Sequence, residues 1–374
     1  MIGTRGVPAN YGGFETAVEE VGARLVEAGH DVLVFSRSAT PSAQTYRGMR
    51  IVRRPAIKAK SLETLSHTAL SLVSRELTGT DVAFLFNAAN APLLPVLRMR
   101  GIPAAVHVDG VEWRRSKWGA VGKRYYKAAE SLAVRWADVL IADARGIQTY
   151  YMDRHGADTT YIAYGSKLIN GPSTERLSAL GLAPKGFILI VARFEPENNL
   201  VPAIAGLCAG EKDIPMVVVG SAPYASKYVS AIERLARSDP RVRLLGGIWD
   251  QELLDSLYAG TALYVHGHSV GGTNPSLLRA MGARAPVAAF DVVYNREVLG
   301  PENGRFWTSE SELSKIVSEV VDYPEVANHM ASAARDRVEH YYNWDQVALA
   351  YEQVAADLAR SDKASVRSRG DRQP

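Results

Sequence analysis

Short apolar runs rich in β-branched residues alternate with amphipathic helical patterns along almost the whole sequence. Strands that are apolar along their full length are typical of parallel sheets covered by helices on both faces. The pattern predicts strands at 32–36, 82–87, 104–108, 138–142 and 160–164, and a second series at 187–192, 216–220, 242–246, 262–266 and 287–291. Helices are predicted between them, at about 15–28, 62–76, 121–135 and 145–154, and then at 198–209, 225–237, 249–258 and 275–283. Two such series indicate two doubly wound α/β domains.

The boundary between the two series falls in a polar segment, 167–185, which Gly and Pro interrupt. We therefore predict an N-terminal Rossmann-like domain over 1–166, a C-terminal one over 167–343, and a hinge near 165–186. Ligands bind outside the carboxyl ends of the strands in open parallel sheets, so two facing domains would share an interdomain cleft. The last residues, 361–374, have the composition of a disordered tail.

Composition narrows the class of protein. The 374 residues suit two domains, and 47% apolar with 22% charged residues is a globular balance. Cys208 is the single cysteine, which excludes an internal disulfide and fits a reducing compartment. No run approaches the roughly 18 to 20 apolar residues of a membrane span, and the start lacks a secretory signal pattern. We expect a soluble, cytoplasmic protein.

Charge is unevenly distributed along the chain. Residues 1–166 contain 21 Lys and Arg against 15 Asp and Glu, whereas the whole chain has a net charge of only +3. A basic first half suits an anionic partner, such as a phosphorylated acceptor or a lipid surface, although a shift of this size also arises by chance.

The glycine-rich string GTRGVPANYGGFET (3–16) opens the first predicted helix. Gly12 and Gly13 would let backbone N–H groups approach phosphate oxygens there, or they form a tight turn without a ligand. The spacing is not GxGxxG, which argues against a dinucleotide-dependent oxidoreductase. Only Met1 and Ile2 precede the loop, so either the first strand is truncated or the chain starts further upstream.

A second string, HVDGVEWRRSKW (107–118), follows a predicted strand. Strand alternation places His107 and Asp109 on the same side, where they could bind sugar hydroxyls or transfer a proton. The alternative is a structural histidine with a helix-capping aspartate. The basic and aromatic residues that interleave over 113–127 suit peripheral contact with a membrane or a phospholipid-linked acceptor, or they form a solvated helix face.

Two further strings leave strands and enter helices in the second half. In VARFEPENNL (191–200), Arg193 can bind a diphosphate, or it forms a surface ion pair with a nearby glutamate. Asn198 and Asn199 would start the following helix, whose N-terminus adds to the same site. In HGHSVGGTNPSLLRAMGA (266–283), a glycine loop precedes a helix that has Pro in its first turn. A glycine loop at the start of a helix is an anion-binding site, and the alternative is a strand-to-helix turn without a ligand. Together with Arg193 this loop predicts a pyrophosphate clamp, formed by His268, Gly271, Gly272, Thr273 and Asn274.

Metal ligands are not evident in the sequence. His266 and His268 form an HxH pair that has no third ligand nearby in sequence, so we predict no metal site.

At these four strings the chain resembles the family-4 retaining glycosyltransferases of the two-domain GT-B fold, and most of all their bacterial rhamnosyltransferase-like branch in surface polysaccharide synthesis. The likeness covers about residues 1–360 and implies transfer of a sugar from a nucleoside-diphosphate sugar, with dTDP-L-rhamnose as the expected donor, to a lipid-linked saccharide or another hydroxyl acceptor. It implies retention of configuration by front-face attack, with neither cofactor nor bound metal. It also implies a helix at about 344–358 that packs back on the first domain.

The resemblance assigns roles to single residues. Gly12 and Gly13 would approach the diphosphate or the acceptor, and His107 matches the family histidine near the transferred sugar. Arg193 matches the diphosphate-binding arginine. The loop residues that match the family are Gly271, Gly272 and Thr273.

Two positions depart from the family pattern. The usual lysine five residues after Arg193 is Asn198, and the usual ribose-binding glutamate is Arg279. An arginine cannot accept a hydrogen bond from ribose, but Arg279 could contact the diphosphate or the base. Arg279 and the missing first strand leave one alternative open, a nucleotide-sugar-binding protein with weak or lost activity. A different GT-B enzyme, such as a sugar-nucleotide epimerase, is a separate alternative. We expect no nucleic-acid partner.

Overall fold

The computed structural model describes residues 1–9, 12–37, 44–57, 62–108, 110–115, 118–222 and 227–370, the last nine of them by their backbone alone. The chain forms two compact units. The first comprises Met1–Tyr164 and Trp344–Pro374, and the second comprises Gly165–Asn343.

The first unit contains a four-stranded parallel sheet in the order β4-β5-β6-β7 and a three-stranded sheet in the order β1-β3-β2. Its strands are β1 Leu33–Ser36, β2 Thr45–Tyr46, β3 Met49–Arg53, β4 Ala83–Phe86, β5 Ala104–Val108, β6 Val139–Ala142 and β7 Thr160–Tyr161. Its first five helices are α1 Gly13–Glu27, α2 Glu63–Leu72, α3 Leu94–Met99, α4 Ala120–Trp136 and α5 Arg145–His155.

Met1 and Ile2 stand where a further strand would separate β1 from β4. The Phe35 amide donates to the Met1 carbonyl at 3.1 Å, and Ile2 exchanges two hydrogen bonds of 2.9 Å with Phe84 and Phe86. Because these bonds reach both neighbours, the two residues join the two sheets of the first unit. They also set the start of the glycine loop at the carboxyl edge of that combined sheet.

The second unit contains six parallel strands in the order β10-β9-β8-β11-β12-β13. The strands are β8 Ile188–Val191, β9 Met216–Val219, β10 Val242–Gly246, β11 Leu263–His266, β12 Val287–Phe290 and β13 Arg305–Trp307. The helices are α6 Thr174–Ala179, α7 Leu200–Cys208, α8 Lys227–Ser238, α9 Gln251–Gly260, α10 Pro275–Gly282, α11 Val293–Leu299, α12 Glu310–Asp322 and α13 Pro324–Tyr341. The strand order reverses between β8 and β11, which makes this pair the switch point where ligands bind in open parallel sheets.

Helix α14, Trp344–Gly370, belongs to the first unit. Its Tyr351 is buried, with its ring centre 5.1 Å from that of Phe84, and Arg24 on α1 donates to Asp345 at 2.6 Å. The helix continues to Gly370, through most of the segment expected as a disordered tail, because neither Pro nor Gly occurs between Trp344 and Gly370. The last four residues of that segment lie outside the described residues.

Candidate functional site

The carboxyl ends of β8 and β11 lie side by side at the switch point of the second unit, and two loops leave them. Hydrogen bonds tie these loops together. The Asn199 side chain donates to the Gly267 carbonyl at 2.8 Å, and Ser269 donates its amide and its hydroxyl to the Glu197 carbonyl at 2.9 and 2.8 Å. The two loops therefore hold a fixed position relative to each other.

Arg193 lies on the first loop, just after β8, with about a third of its side chain exposed. Its guanidinium is 3.4 Å from the Glu195 carboxylate, so the ion pair expected as an alternative is present, and it leaves the guanidinium at the surface. A charged donor in this place can form strong hydrogen bonds to a phosphate oxygen. Asn198 is buried and donates its amide to the Arg193 carbonyl at 2.8 Å. The side chain of Asn198 thus positions Arg193 from below and does not project as a ligand.

Asn199 forms the start of α7 in a left-handed conformation with φ 48°, and its side chain makes no cap bond to that helix. The hydroxyl of Tyr228 accepts a hydrogen bond from the Val201 amide at 3.2 Å. One N–H of the first turn of α7 is therefore satisfied from within the unit. The predicted contribution of this helix N-terminus to anion binding is reduced accordingly.

The second loop ends at α10, where Asn274 caps the helix by accepting a hydrogen bond from the Ser276 amide at 2.9 Å. Gly271 has φ 139°, a conformation that side chains disfavour, while Gly272 follows it and Thr273 is buried. The structure thus brings the glycine loop and the N-terminus of α10 next to the Arg193 loop. The positive end of a helix dipole together with an arginine suits an anionic ligand.

Arg279 lies one turn further along α10 and points towards α9. Its guanidinium donates to the Asp255 carboxylate at 2.8 and 2.5 Å, and to the side chain and backbone of Gln251 at 2.9 and 3.0 Å. Lys167 forms a second ion pair with Asp255 at 2.5 Å. These partners take four of the five N–H donors of Arg279 and turn its guanidinium towards α9, so its contact with the diphosphate or the base stays a prediction.

His266 ends β11 and is fully buried, and the ring of His268 stacks on it with centres 4.5 Å apart. The side chain of Asn295 donates to the His268 carbonyl at 2.9 Å and fixes the start of the loop. Sequence reasoning included His268 but passed over His266, which it considered only as half of a metal motif. In the described part of the chain, no three of His, Cys, Asp and Glu form a group that could hold a metal ion.

The glycine loop of the first unit is held against α1. The Glu15 carboxylate accepts a hydrogen bond from the Arg5 amide at 2.9 Å, and it approaches Gly12 so closely that a Cβ there would lie 2.3 Å from its oxygen. Burial raises the pKa of Glu15. The N-terminus of α1, which begins at Gly13 immediately after Gly12, therefore already has a carboxyl group beside it, which competes with a phosphate.

His107 lies near the end of β5 and is 2% exposed. Its Nδ1 is 2.8 Å from the Tyr351 hydroxyl, and its ring lies against those of Phe14 and Tyr164, with centres 5.2 and 5.7 Å away. Burial lowers the pKa of His107 to about 3, so its imidazole is neutral near pH 7. A neutral imidazole in this place can form a hydrogen bond to a hydroxyl through Nε2, but it is a poor general acid. Asp109, which was predicted beside it, lies outside the described residues.

The basic and aromatic segment 113–127 has two parts. Around Trp113 the Lys127 ammonium lies 4.2 Å from the ring centre, which ties these two residues together. The start of α4 instead presents Val121, 81% exposed, beside the exposed Lys123 and Arg124. Within the described ranges, no helix is both long enough and apolar enough to cross a membrane.

Comparison with known proteins gives a consistent fold. Residues 185–323 match the family model described as glycosyl transferases group 1, and residues 98–167 match a domain of unknown function, DUF1972. Glycogen synthase from Mycobacterium tuberculosis is 26% identical over 404 residues, which cover 97% of this chain and 95% of that protein. Sucrose-phosphate synthase from Thermosynechococcus elongatus superimposes with a TM-score of 0.79 at 20% identity over 94% of both chains. HepE from Anabaena, solved with UDP and glucose, superimposes with a TM-score of 0.78 at 18% identity, covering 95% of this chain and 98% of that one.

The chain has the GT-B fold. The prediction of two Rossmann-like parallel-sheet domains is therefore confirmed. The match over 185–323 includes both loops at the GT-B switch point described above. The narrower resemblance to a rhamnosyltransferase-like branch stays a prediction.

Proposed function

We propose that this protein is a glycosyltransferase that uses a nucleoside-diphosphate sugar and binds the donor's diphosphate at the two loops of the second unit. The observation that carries the proposal is that the Arg193 loop and the N-terminus of α10 meet at the switch point, where the Ser276 hydroxyl lies 3.3 Å from the Val191 carbonyl at the end of β8. This junction lies inside the segment that matches group 1 glycosyltransferases. A structural neighbour supports the same class of donor, since HepE from Anabaena was solved with UDP and glucose and with UDP-glucose.

The transfer would proceed at the anomeric carbon of the donor sugar. The acceptor hydroxyl oxygen bonds to that carbon while the bond to the diphosphate oxygen breaks, and the electron pair leaves with the diphosphate. Arg193 and the start of α10 would stabilise the negative charge that develops there. In front-face attack the acceptor proton passes to a leaving phosphate oxygen, and the anomeric configuration is retained.

His107 of the first unit would contribute a hydrogen bond to a sugar hydroxyl. It is neutral near pH 7, and its Nε2 has no hydrogen-bond partner among the residues that the structure describes. Leaving a buried polar atom unsatisfied costs about 1 to 3 kcal/mol, which a sugar hydroxyl would recover on binding. This role requires no proton transfer by His107.

The finer features of the proposal follow the sequence resemblance. The donor to test first is dTDP-L-rhamnose, beside UDP-glucose, and the acceptor is a lipid-linked saccharide. The protein would work in the cytoplasm, with the start of α4 resting on the anionic inner face of the membrane through Val121, Lys123 and Arg124. No cofactor takes part in this proposal.

The test is a transfer assay with an arginine variant and a matched control. Arg193→Ala removes the charged donor at the diphosphate, whereas Arg237→Ala removes an exposed arginine of α8 in the same unit. We expect transfer from dTDP-rhamnose or UDP-glucose to fall by about 100-fold or more in Arg193→Ala only, because one lost transition-state donor costs about that much. The anomeric configuration of the product, read by NMR, tests retention. Equal activity of the two variants would refute this site.

A second candidate function is a nucleotide-sugar-binding protein with weak or lost activity. It is favoured by Arg279, whose ion pair with Asp255 stands where the family places a ribose-binding glutamate. This candidate predicts that wild type binds UDP or dTDP in calorimetry and that Arg193→Ala weakens binding. No donor would then give a transfer product with either protein.

A further inference from the structure

His266 is a buried histidine that the proposed function does not use. Its exposed fraction is 0%, and its ring is stacked nearly parallel under that of His268. No group in the described ranges makes a hydrogen bond to its Nε2. A buried polar atom without a partner is costly, so the position of this atom calls for a reason.

A chain of hydroxyl groups holds the other side of the imidazole. The Tyr264 hydroxyl lies 3.2 Å from His266 Nδ1 and 2.5 Å from the Ser276 hydroxyl, which in turn is 2.8 Å from the Tyr258 hydroxyl. The Ser276 hydroxyl also reaches the Val191 carbonyl at the end of β8, at 3.3 Å. The chain thus links the ends of β8 and β11 to the first turn of α10.

The location of the imidazole follows from this chain. His266 and Tyr264 are two residues apart on β11, so both side chains lie on the same face of the sheet. That face carries α10, because Tyr264 contacts Ser276 in its first turn. His266 therefore lies at the base of the loop from His268 to Asn274, on the face of the sheet that carries the first turn of α10.

We propose that His266 is a donor-binding residue whose Nε2–H donates a hydrogen bond to a diphosphate oxygen. In this arrangement the single proton of the Ser276 hydroxyl points to Tyr264 and not to the Val191 carbonyl, and Tyr264 donates to Nδ1, which leaves the proton of the neutral imidazole on Nε2. The hydroxyl chain thereby sets the tautomer that an anion needs. The inference rests on the proposed function, since it concerns the same ligand.

Two amide substitutions distinguish the contributions of the two ring nitrogens, Nδ1 and Nε2. His266→Gln keeps an amide near the place of Nε2, whereas His266→Asn keeps one near Nδ1 and removes the donor at Nε2. We expect the dissociation constants of UDP and dTDP to rise by about ten-fold or more in His266→Asn and clearly less in His266→Gln, because a hydrogen bond to a charged group is lost only in the former. Free uridine, which lacks phosphate, should bind both variants alike. His329→Asn, at an exposed position of the same unit, is the matched control.

Nitrogen NMR of wild type gives a readout that needs no variant. The imidazole of His266 should show a protonated Nε2 and a bare Nδ1, and the Nε2 signal should move when UDP or dTDP is added. A signal that does not move, or equal affinity of wild type and His266→Asn, would overturn the inference. If wild type binds while Arg193→Ala does not, and His266→Asn binds like wild type, only the role of His266 fails. If wild type binds neither nucleotide, the proposed function and this inference fail together.

Discussion

The contact between the two loops of the second unit can be broken by adding one methyl group. A Cβ built on Gly267 would lie 2.2 Å from the Asn198 carbonyl oxygen, closer than real Cβ atoms come to an oxygen. The φ of Gly267 lies outside the left-handed region, so alanine is not excluded by its backbone conformation. Gly267→Ala therefore acts through space alone and forces the Asn198 loop away from β11.

The expected magnitude follows from the bonds at this junction. The loop must retreat by about 1 Å to reach an ordinary van der Waals separation. Overpacking of this kind costs about 1 to 3 kcal/mol, and each strained hydrogen bond between the loops adds about 1 kcal/mol. We expect the free energy of unfolding to fall by about 2 to 4 kcal/mol, which at about 3 °C per kcal/mol lowers the melting temperature by about 6 to 12 °C. Displacing Arg193 by the same distance should weaken diphosphate binding by about ten-fold to 100-fold.

The assay combines thermal unfolding with titration of UDP and dTDP. Gly119→Ala is the matched control, because Gly119 has φ −73° and no atom within 4 Å of the place of its Cβ. The control should melt and bind as wild type does. A Gly267→Ala protein with the melting temperature and nucleotide affinity of wild type would show that the two loops are not held as we describe.

Three further predictions test charges elsewhere. Burial lowers the pKa of His107 from 6.5 to about 3, so between these pH values the unfolded chain binds one more proton than the folded chain, and the free energy of unfolding should fall with decreasing pH by up to about 1.4 kcal/mol per pH unit from this residue. His107→Gln should therefore reduce the pH dependence of the free energy of unfolding, measured with urea between pH 6 and 4, and the same pH dependence in wild type and variant would contradict this. Arg279→Glu should lower the free energy of unfolding by about 1 to 2 kcal/mol, because the new carboxylate repels Asp255. Adding Asp255→Arg should restore part of that loss, and a double variant as unstable as the single variant would contradict the pairing of these two residues. Lys123→Glu with Arg124→Glu should weaken cosedimentation with anionic vesicles by about ten-fold or more, since each basic residue near a membrane contributes about 1 kcal/mol, and unchanged binding would refute the role of α4.

Periodicity was sufficient to predict most of the fold. All five strands expected in the second unit are present, because a buried parallel strand is a continuous apolar run that the sequence displays directly. β2, β3 and β13 were not predicted. β2 and β3 include exposed polar positions and β13 has only three residues, so neither an apolar run nor a clear alternation marks them.

The candidate site was predictable as far as backbone position determines it. Loops that follow β8 and β11 must lie together, so Arg193 and the glycine loop could be paired from the sequence. The direction of a side chain could not be predicted in the same way. Asn198 turns inward to its own loop, and Arg279 finds Asp255 on the preceding helix, 24 residues away in the chain. His266 was passed over because its environment depends on hydroxyl groups from three separate elements.

The two loops contain one arginine, Arg193, against two glutamates, Glu195 and Glu197, so their side chains carry a net negative charge. A diphosphate could not be held there by charge attraction alone. The remaining attraction must come from oriented neutral donors, such as the first turn of α10 and, as we propose, His266. Such donors are fixed before the ligand arrives, and salt screens them little when they are buried. Asn198 stands where the family that the sequence resembles usually has a lysine. An amide there fits this arrangement, since it fixes the Arg193 carbonyl and improves the placement of the one arginine that these loops possess.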